Sequence, residues 1–272
     1  MAEEQETFLS HLVELRDRLI RVLIAVGIAF LPLAFFAREL YSVLAAPLLA
    51  TLPAGGQMIA TDVVGVFLVP MKVALTVAFL VVLPYVLYQV WAFVAPGLYT
   101  HEKKLAMPLL AASVMLFFIG MAFAYFAFFP MVFGFMAQFA PEGVAWMTDI
   151  EKYFSFVLTM FLAFGVTFEV PVIVIVLVKI GVVSVVKLRE WRPYVIVGAF
   201  VVGAIFTPPD VISQFMMAVP LCLLYELGIV LANLIVRPAA PEAGVSDYQP
   251  PSDEEMNQEL DRVEQRARDQ QT

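Results

Sequence analysis

The feature that most constrains this sequence is a run of 37 residues, 105–141, that contains no Asp, Glu, Lys or Arg. A transmembrane helix needs about 20 consecutive apolar residues, so this run alone is long enough to cross a bilayer. The chain of 272 residues is 62% hydrophobic and 15% charged, whereas soluble domains carry about 25% charged residues. The sequence therefore predicts a multi-spanning membrane protein and excludes an ordinary soluble domain.

The apolar runs predict an all-α protein with six transmembrane spans within residues 1–237. Prolines recur inside the runs, and we expect the helices to bend there, which membrane helices tolerate. Spans five and six are predicted to be short, because a turn at residues 207–210 ends the fifth and because Asp210 and Glu226 bracket the apolar part of the sixth. The predicted spans cover approximately residues 19–37, 66–92, 105–135, 153–178, 193–206 and 211–235.

Basic residues set the predicted orientation. Outside the tail, ten Lys and Arg residues fall on the side of the N-terminus and three on the other side. Basic residues favour the cytoplasm, so both termini are expected there. Residues 238–272 hold nine acidic and three basic side chains, a composition that predicts a largely disordered acidic cytoplasmic tail. On the outer side, Leu40, Tyr41 and Leu44 have the apolar spacing of a helix that lies in the membrane interface.

Motifs for catalysis are absent from the sequence. It has one cysteine and two histidines, too few for a disulfide framework, a histidine-ligated haem or a zinc triad. The phosphate-loop, H-E-x-x-H and G-x-S-x-G patterns are also missing, which removes the familiar nucleotide-motor and hydrolase signatures. We therefore expect no enzyme activity, cofactor, metal or nucleic-acid partner.

Three carboxylates occupy unusual positions. Glu14 precedes the first span and Glu102 precedes the third, so both are predicted at the cytoplasmic rim. Each is either a binding group or an ordinary interface residue paired with a neighbouring basic side chain. Glu169 is predicted near the middle of span four, where a charge costs about 2.5–3.5 kcal/mol. It either faces a wet cavity or a partner, or is a protonated structural residue bonded to a neighbouring helix.

Polar residues also surround the predicted turn between spans five and six. Thr207, Asp210 and Gln214 could bind a neighbouring helix, since such contacts contribute about 0.6–2 kcal/mol in membranes. The simpler interpretation of Asp210 is a helix N-cap.

Several segments together resemble one family, TatC, the multi-spanning core subunit of the twin-arginine protein translocase. The resemblance covers most of residues 8–236, in family order, and excludes the tail. Where relatives often have arginine after the position of Glu102, this chain has lysine. The matching segments are residues 10–21 (SHLVELRDRLIR), 83–104 (LPYVLYQVWAFVAPGLYTHEKK), 116–135 (LFFIGMAFAYFAFFPMVFGF), 154–172 (FSFVLTMFLAFGVTFEVPV) and 192–214 (RPYVIVGAFVVGAIFTPPDVISQ).

This resemblance implies six helices in a cupped, glove-like bundle in the bacterial inner membrane. It implies that Glu14 and Glu102 recognise the twin-arginine motif of signal peptides on folded export substrates, and we expect Phe93 and Arg16 to belong to the same site. Arginine suits such a site because its planar fork matches a carboxylate.

The resemblance also implies single-span partner subunits, TatA and TatB, which we expect at spans five and six, with contacts to Thr207, Asp210 and Gln214. We further expect several copies of the chain in the complex and transport driven by the proton gradient, to which Glu169 could respond. Two rival hypotheses are a small-solute transporter that uses Glu169 as its coupling site and a membrane-embedded enzyme.

Overall fold

The computed structural model of the chain describes residues 2–50, 58–94, 103–138 and 147–235. Helices dominate these residues, as expected where backbone polar groups find no water and must bond within their own segment. The helices are α1 (Ala2–Phe35), α2 (Ala37–Leu49), α3 (Gly65–Val94), α4 (Lys103–Phe123), α5 (Phe129–Gln138), α6 (Ile150–Phe168), α7 (Val170–Lys179), α8 (Val185–Glu190), α9 (Arg192–Phe206) and α10 (Val211–Ile235).

Among the described residues, five helical segments are long and apolar enough to cross a membrane. A sixth apolar helix, α9, has only 15 residues. These lengths confirm the prediction of an all-α membrane protein with a short fifth span. The five long segments are Leu12–Phe35, Gly65–Phe93, Met107–Gln138, Ile150–Lys179 and Val211–Ile235.

The last helix extends beyond the uncharged stretch between Asp210 and Glu226. The α10 helix has 25 residues, and the Glu226 carboxylate within it accepts a hydrogen bond of 2.6 Å from Arg192 at the start of α9. The uncharged stretch between Asp210 and Glu226 is short, as predicted, whereas the apolar helix continues through residues 227–235 and is long enough to cross a membrane. The predicted tail, residues 238–272, lies outside the described residues.

Two prolines coincide with interruptions of a span. A single π-helical turn, Ala124–Phe128, separates α4 from α5 and ends two residues before Pro130. The second interruption is at Glu169, two residues before Pro171, where α6 ends and α7 begins. Proline lacks the amide hydrogen and crowds the preceding turn, and π turns accommodate such sites. The other prolines of the described spans lie within continuous helices.

The segment that precedes the second span is helical, in agreement with its apolar spacing. Leu40, Tyr41 and Leu44 of α2 pack against the main hydrophobic core. After α2, two short strands that the sequence did not predict form a parallel pair: β1 (Met58–Ile59) and β2 (Thr148–Asp149). This pairing joins the segment before α3 to the segment before α6.

Helix packing produces two hydrophobic clusters. The larger one is rich in phenylalanine and surrounds α6, with Phe128, Phe154 and Phe164 almost fully buried. The smaller one joins α7 to α10. There α10 approaches closely because Gly228 has no side chain: a Cβ atom on it would lie 3.0 Å from both Pro171 Cα and Val174 Cβ. Small residues commonly permit such approaches in membrane bundles.

Candidate functional site

Glu14 forms an ion pair with Arg18, which lies one helical turn further along α1. The side chains of Glu14 and Arg18 lie on the same face of α1, since residues four apart are neighbours on a helix. Arg18 donates from Nε (3.0 Å) and from Nη2 (2.5 Å) to the same carboxylate oxygen, Glu14 Oε1. The Glu14 side chain is 44% exposed and that of Arg18 is 21% exposed. The carboxylate is therefore accessible, and its orientation is fixed from one side.

The same guanidinium connects α1 to the end of α3. Arg18 Nη1 donates to Gln89 Oε1 at 2.9 Å, and Nη2 also approaches the carbonyl oxygen of Ala92 at 3.3 Å. Gln89 is buried, so its amide fixes the position of the guanidinium. Phe93, which is half-buried and was also predicted for this site, directly follows Ala92 in the chain. Together these contacts place Glu14 beside the last turn of α3.

Glu102 lies outside the described residues. The α3 helix ends at Val94 and α4 begins at Lys103, so Glu102 directly precedes α4 in the chain. That Glu102 shares a site with Glu14 stays a prediction.

The structure does not bring Arg16 to the Glu14 carboxylate. Arg16 donates to Asp17, its neighbour in the chain, at 2.9 and 3.0 Å, and its side chain is 68% exposed. The basic residue beside Glu14 is Arg18, which the sequence reasoning did not select for the site. The spacing of four residues between Glu14 and Arg18 on a predicted helix was the signal that could have identified it.

Glu169 lies at the junction of α6 and α7 and is 9% exposed. The hydroxyl of Ser113, on α4, donates to Glu169 Oε2. The same hydroxyl accepts a long hydrogen bond of 3.4 Å from the indole of Trp91, on α3. A row of polar groups, buried at Ser113 and Glu169, thus joins three helices. Glu169 Oε1 is also buried and has no hydrogen-bond partner among the described residues, which distinguishes this carboxylate from an ordinary satisfied core group.

The predicted polar turn between α9 and α10 is built mainly from internal bonds. The Thr207 hydroxyl donates to the Gly203 carbonyl at 2.8 Å, and Gln214 Nε2 donates to the Phe200 carbonyl at 2.9 Å. Asp210 caps α10 by accepting from the amide of Ser213 at 2.7 Å, as the simpler interpretation predicts. Within the described part of the chain, Asp210 Oδ2 and Ser213 Oγ are buried without a hydrogen-bond partner.

A second polar cluster, which the sequence reasoning missed, lies where α6 begins. Asp149 Oδ1 accepts from the amides of Glu151 (2.9 Å) and Lys152 (3.1 Å), which makes Asp149 the N-cap of α6. Asp149 Oδ2 accepts from the hydroxyl and the amide of Thr61. The Thr61 hydroxyl and the Lys152 amide lower the pKa of Asp149 to about 2. Nearby, Lys72 forms an ion pair of 2.6 Å with Glu151.

Comparison with known proteins identifies the family. A family model described as "Sec-independent protein translocase protein (TatC)" matches residues 10–220. The TatC protein of Azotobacter chroococcum mcd 1 is 52% identical over 249 residues, which are 92% of this chain and 98% of that relative. The TatC protein of Escherichia coli K12 is 51% identical over 234 residues, or 86% of this chain and 91% of that relative.

Solved structures agree with the sequence relatives. A crystal structure of a "Twin Arginine Translocase Receptor- TatC" superimposes with a TM-score of 0.72 at 40% identity, covering 82% of this chain and 98% of that one. A second, of the TatC receptor in DDM, gives a TM-score of 0.73 at 39% identity, covering 82% and 99%. The family match, the relatives and the fold all agree with the resemblance in the sequence. This multi-pass membrane chain belongs to the TatC family and is a component of the Sec-independent protein translocase, a transport protein rather than an enzyme.

Proposed function

We propose that this chain is the receptor subunit that binds the twin-arginine signal peptides of folded proteins. The observation that carries the proposal is the accessible carboxylate of Glu14, which Arg18 holds beside the last turn of α3. The similar crystal structures are of proteins described as a twin-arginine translocase receptor, and this likeness supports the same conclusion.

The chemistry of the proposed site suits an arginine ligand. A guanidinium offers five N–H donors in a planar fork, and an ionised carboxylate offers two acceptor oxygens. Exposed ion pairs contribute only about 0–1 kcal/mol each, so one contact at a half-exposed Glu14 is too weak to select a peptide. A second carboxylate, proposed to be Glu102, and shielding by Phe93 would together supply the selectivity. The two arginines of the motif then bind two acids at one end of the bundle.

A peptide crosslinking experiment tests this proposal. We expect Glu14→Gln and Glu102→Gln to weaken crosslinking of a twin-arginine peptide sharply, because each removes the charge and keeps the shape of the side chain. Glu190→Gln is a matched control: Glu190 is exposed and pairs only loosely with Lys187, at 3.7 Å. Membrane insertion is measured in parallel and is expected to be intact. Unchanged crosslinking in the Glu14/Glu102 double variant would refute the proposal.

We also propose that single-span partners, the TatA and TatB subunits, pack against α9 and α10. Two observations support this surface: α9 has only 15 residues, and exposed apolar side chains, among them Ile205 and Val211, flank the turn. The proposed polar contacts to a partner are Thr207, Asp210 and Gln214. Since Thr207 and Gln214 already form internal hydrogen bonds, a partner would share or replace these bonds.

Site-directed crosslinking tests the partner surface. Cysteines at Ile205 and Val211, in a chain whose native Cys222 is replaced by alanine, are expected to form disulfides with cysteines in a single-span partner. A cysteine at Val63, which is 92% exposed and precedes α3, serves as the control. Equal crosslinking at all three positions would exclude a specific partner surface on α9 and α10.

We propose, finally, that transport is driven by the proton gradient across the bacterial inner membrane, with both termini in the cytoplasm, and that Glu169 participates. Its buried carboxylate and its bond from Ser113 support a proton-linked role. Glu169→Ala is expected to slow export in membrane vesicles, and Ser113→Ala, which removes only the hydrogen-bond donor, is expected to have a smaller effect. A normal export rate for Glu169→Ala would exclude this role.

A further inference from the structure

Arg18 already makes the contact that a ligand arginine would make. Two of its N–H groups, on Nε and Nη2, point at one oxygen of Glu14 at 3.0 and 2.5 Å. Paired N–H donors of this kind give arginine its advantage over lysine at carboxylates. The carboxylate that is proposed to bind a signal peptide thus carries a guanidinium from its own chain.

The guanidinium of Arg18 is anchored independently of Glu14. Its third nitrogen, Nη1, bonds to the buried amide of Gln89 at 2.9 Å, and Nη2 lies 3.3 Å from the Ala92 carbonyl oxygen. Because both acceptors belong to α3, Arg18 keeps partners when its bonds to Glu14 are stretched or lost. The Arg18–Glu14 contact can therefore be exchanged for a contact to a ligand while the guanidinium keeps hydrogen-bond acceptors on α3.

We propose that Arg18 determines specificity by competing with the ligand for the Glu14 carboxylate. This inference rests on the proposed function of the site. A ligand fork can bind both oxygens of Glu14 only if it displaces Arg18 from Oε1, the oxygen that both N–H donors of Arg18 contact. A peptide guanidinium does so with an equivalent fork, whereas a lysine ammonium is a point charge that lacks this paired geometry. Arg18 thereby weakens binding of the wrong ligand more than binding of the right one, which is how specificity often arises.

The test compares two peptides on a set of variants. Dissociation constants are measured for a fluorescent twin-arginine peptide and its twin-lysine version, with the full chain in membranes that contain its partner subunits. The variants are Arg18→Gln, Arg18→Lys and Arg21→Gln. Arg21 is an exposed residue on the same helix, and its substitution removes the same charge. Membrane insertion is checked for each variant, and Arg18→Lys, which keeps the charge, provides the comparison if Arg18→Gln inserts poorly.

We expect Arg18→Gln to bind the twin-lysine peptide more tightly, so that the preference for twin arginine falls about fivefold, the equivalent of about 1 kcal/mol for a partly exposed pair. Arg18→Lys, with a single donor centre, is expected to lower the preference less, and Arg21→Gln is expected to keep the wild-type value. In a Glu14→Gln background, Arg18→Gln is expected to change the preference no further.

Three results would overturn the inference. An unchanged preference in Arg18→Gln would exclude competition. Equal weakening of the binding of both peptides by Arg18→Gln would show that Arg18 only joins α1 to α3. A loss of preference that persists without Glu14 would place its origin elsewhere. If the wild-type chain itself shows no preference for twin arginine, the proposed function fails and this inference fails with it. In the three results above the wild-type preference remains and only the inference fails, so the two failures are distinguishable.

Discussion

The close approach of α7 and α10 at Gly228 predicts a strong response to a single added methyl group. A Cβ atom at this position would lie 3.0 Å from Pro171 Cα, 3.0 Å from Val174 Cβ and 3.3 Å from Val174 Cγ1. One of these atoms belongs to the backbone and the others to a stiff β-branched side chain. The close contacts of an added Cβ atom can therefore be relieved only if the two helices move apart by a few tenths of an ångström.

Two opposing effects set the magnitude for Gly228→Ala. Replacing glycine by alanine in a helix gains about 1 kcal/mol of helix propensity, whereas overpacking a close contact costs about 1–3 kcal/mol. We expect a net loss of about 1 kcal/mol for Gly228→Ala. For Gly228→Val, whose extra methyl groups meet the same neighbours, we expect a loss of about 3 kcal/mol.

The assay is thermal unfolding of the purified chain in detergent micelles, with Gly27→Ala as the control. A Cβ atom at Gly27, within α1, would meet nothing within 4 Å, so this variant is expected to be neutral or slightly stabilised. Unfolding temperatures are expected to fall from wild type to Gly228→Ala and further to Gly228→Val. If Gly228→Ala behaves like Gly27→Ala, the close approach does not limit packing and the reasoning is refuted.

Two further predictions concern polar contacts. Because Thr61 helps to lower the pKa of Asp149 to about 2 from an ordinary 3.8, the stability from this carboxylate is present above about pH 4 and is lost as the pH falls toward 2. Between about pH 5 and pH 2 the wild type should therefore lose stability more steeply than Asp149→Asn; parallel unfolding curves would contradict this. Tyr225→Phe removes a buried hydrogen bond of 2.7 Å to the Leu188 carbonyl and should cost about 1 kcal/mol in thermal unfolding. The exposed control Tyr194→Phe should cost almost nothing, and equal shifts for the two tyrosines would show that the bond does not stabilise the fold.

The spans could be predicted from the sequence because their signal is local. An apolar run either is or is not long enough to cross a bilayer, and the turn at Asp210 combines a breaker with a capping residue. Prolines indicated candidate positions for interruptions, and the spans are interrupted near Pro130 and Pro171. The sequence did not distinguish these two prolines from the others, which lie within continuous helices. That distinction depends on which neighbouring groups satisfy the freed carbonyl.

The site could be predicted only in part, because its contacts join distant segments. Glu14 was selected for its position at the rim, and its partner Arg18 was within reach of a local argument. The bond from Arg18 to Gln89 crosses 71 positions of the chain and depends on how α1 packs against α3. The bond from Thr61 to Asp149 crosses 88 positions, and two-residue strands give no periodic pattern that would predict it.

The parallel pair of β1 and β2 has a consequence for the order in which the protein matures. Met58 pairs with Thr148 and Ile59 with Asp149, so one partner precedes the second span and the other follows the third. During synthesis these bonds cannot form until the ribosome has delivered all three earlier spans and both loops have reached the same aqueous compartment. The strand pair and the Thr61–Asp149 hydrogen bonds can therefore join this end of the bundle only after the first three spans have been synthesised.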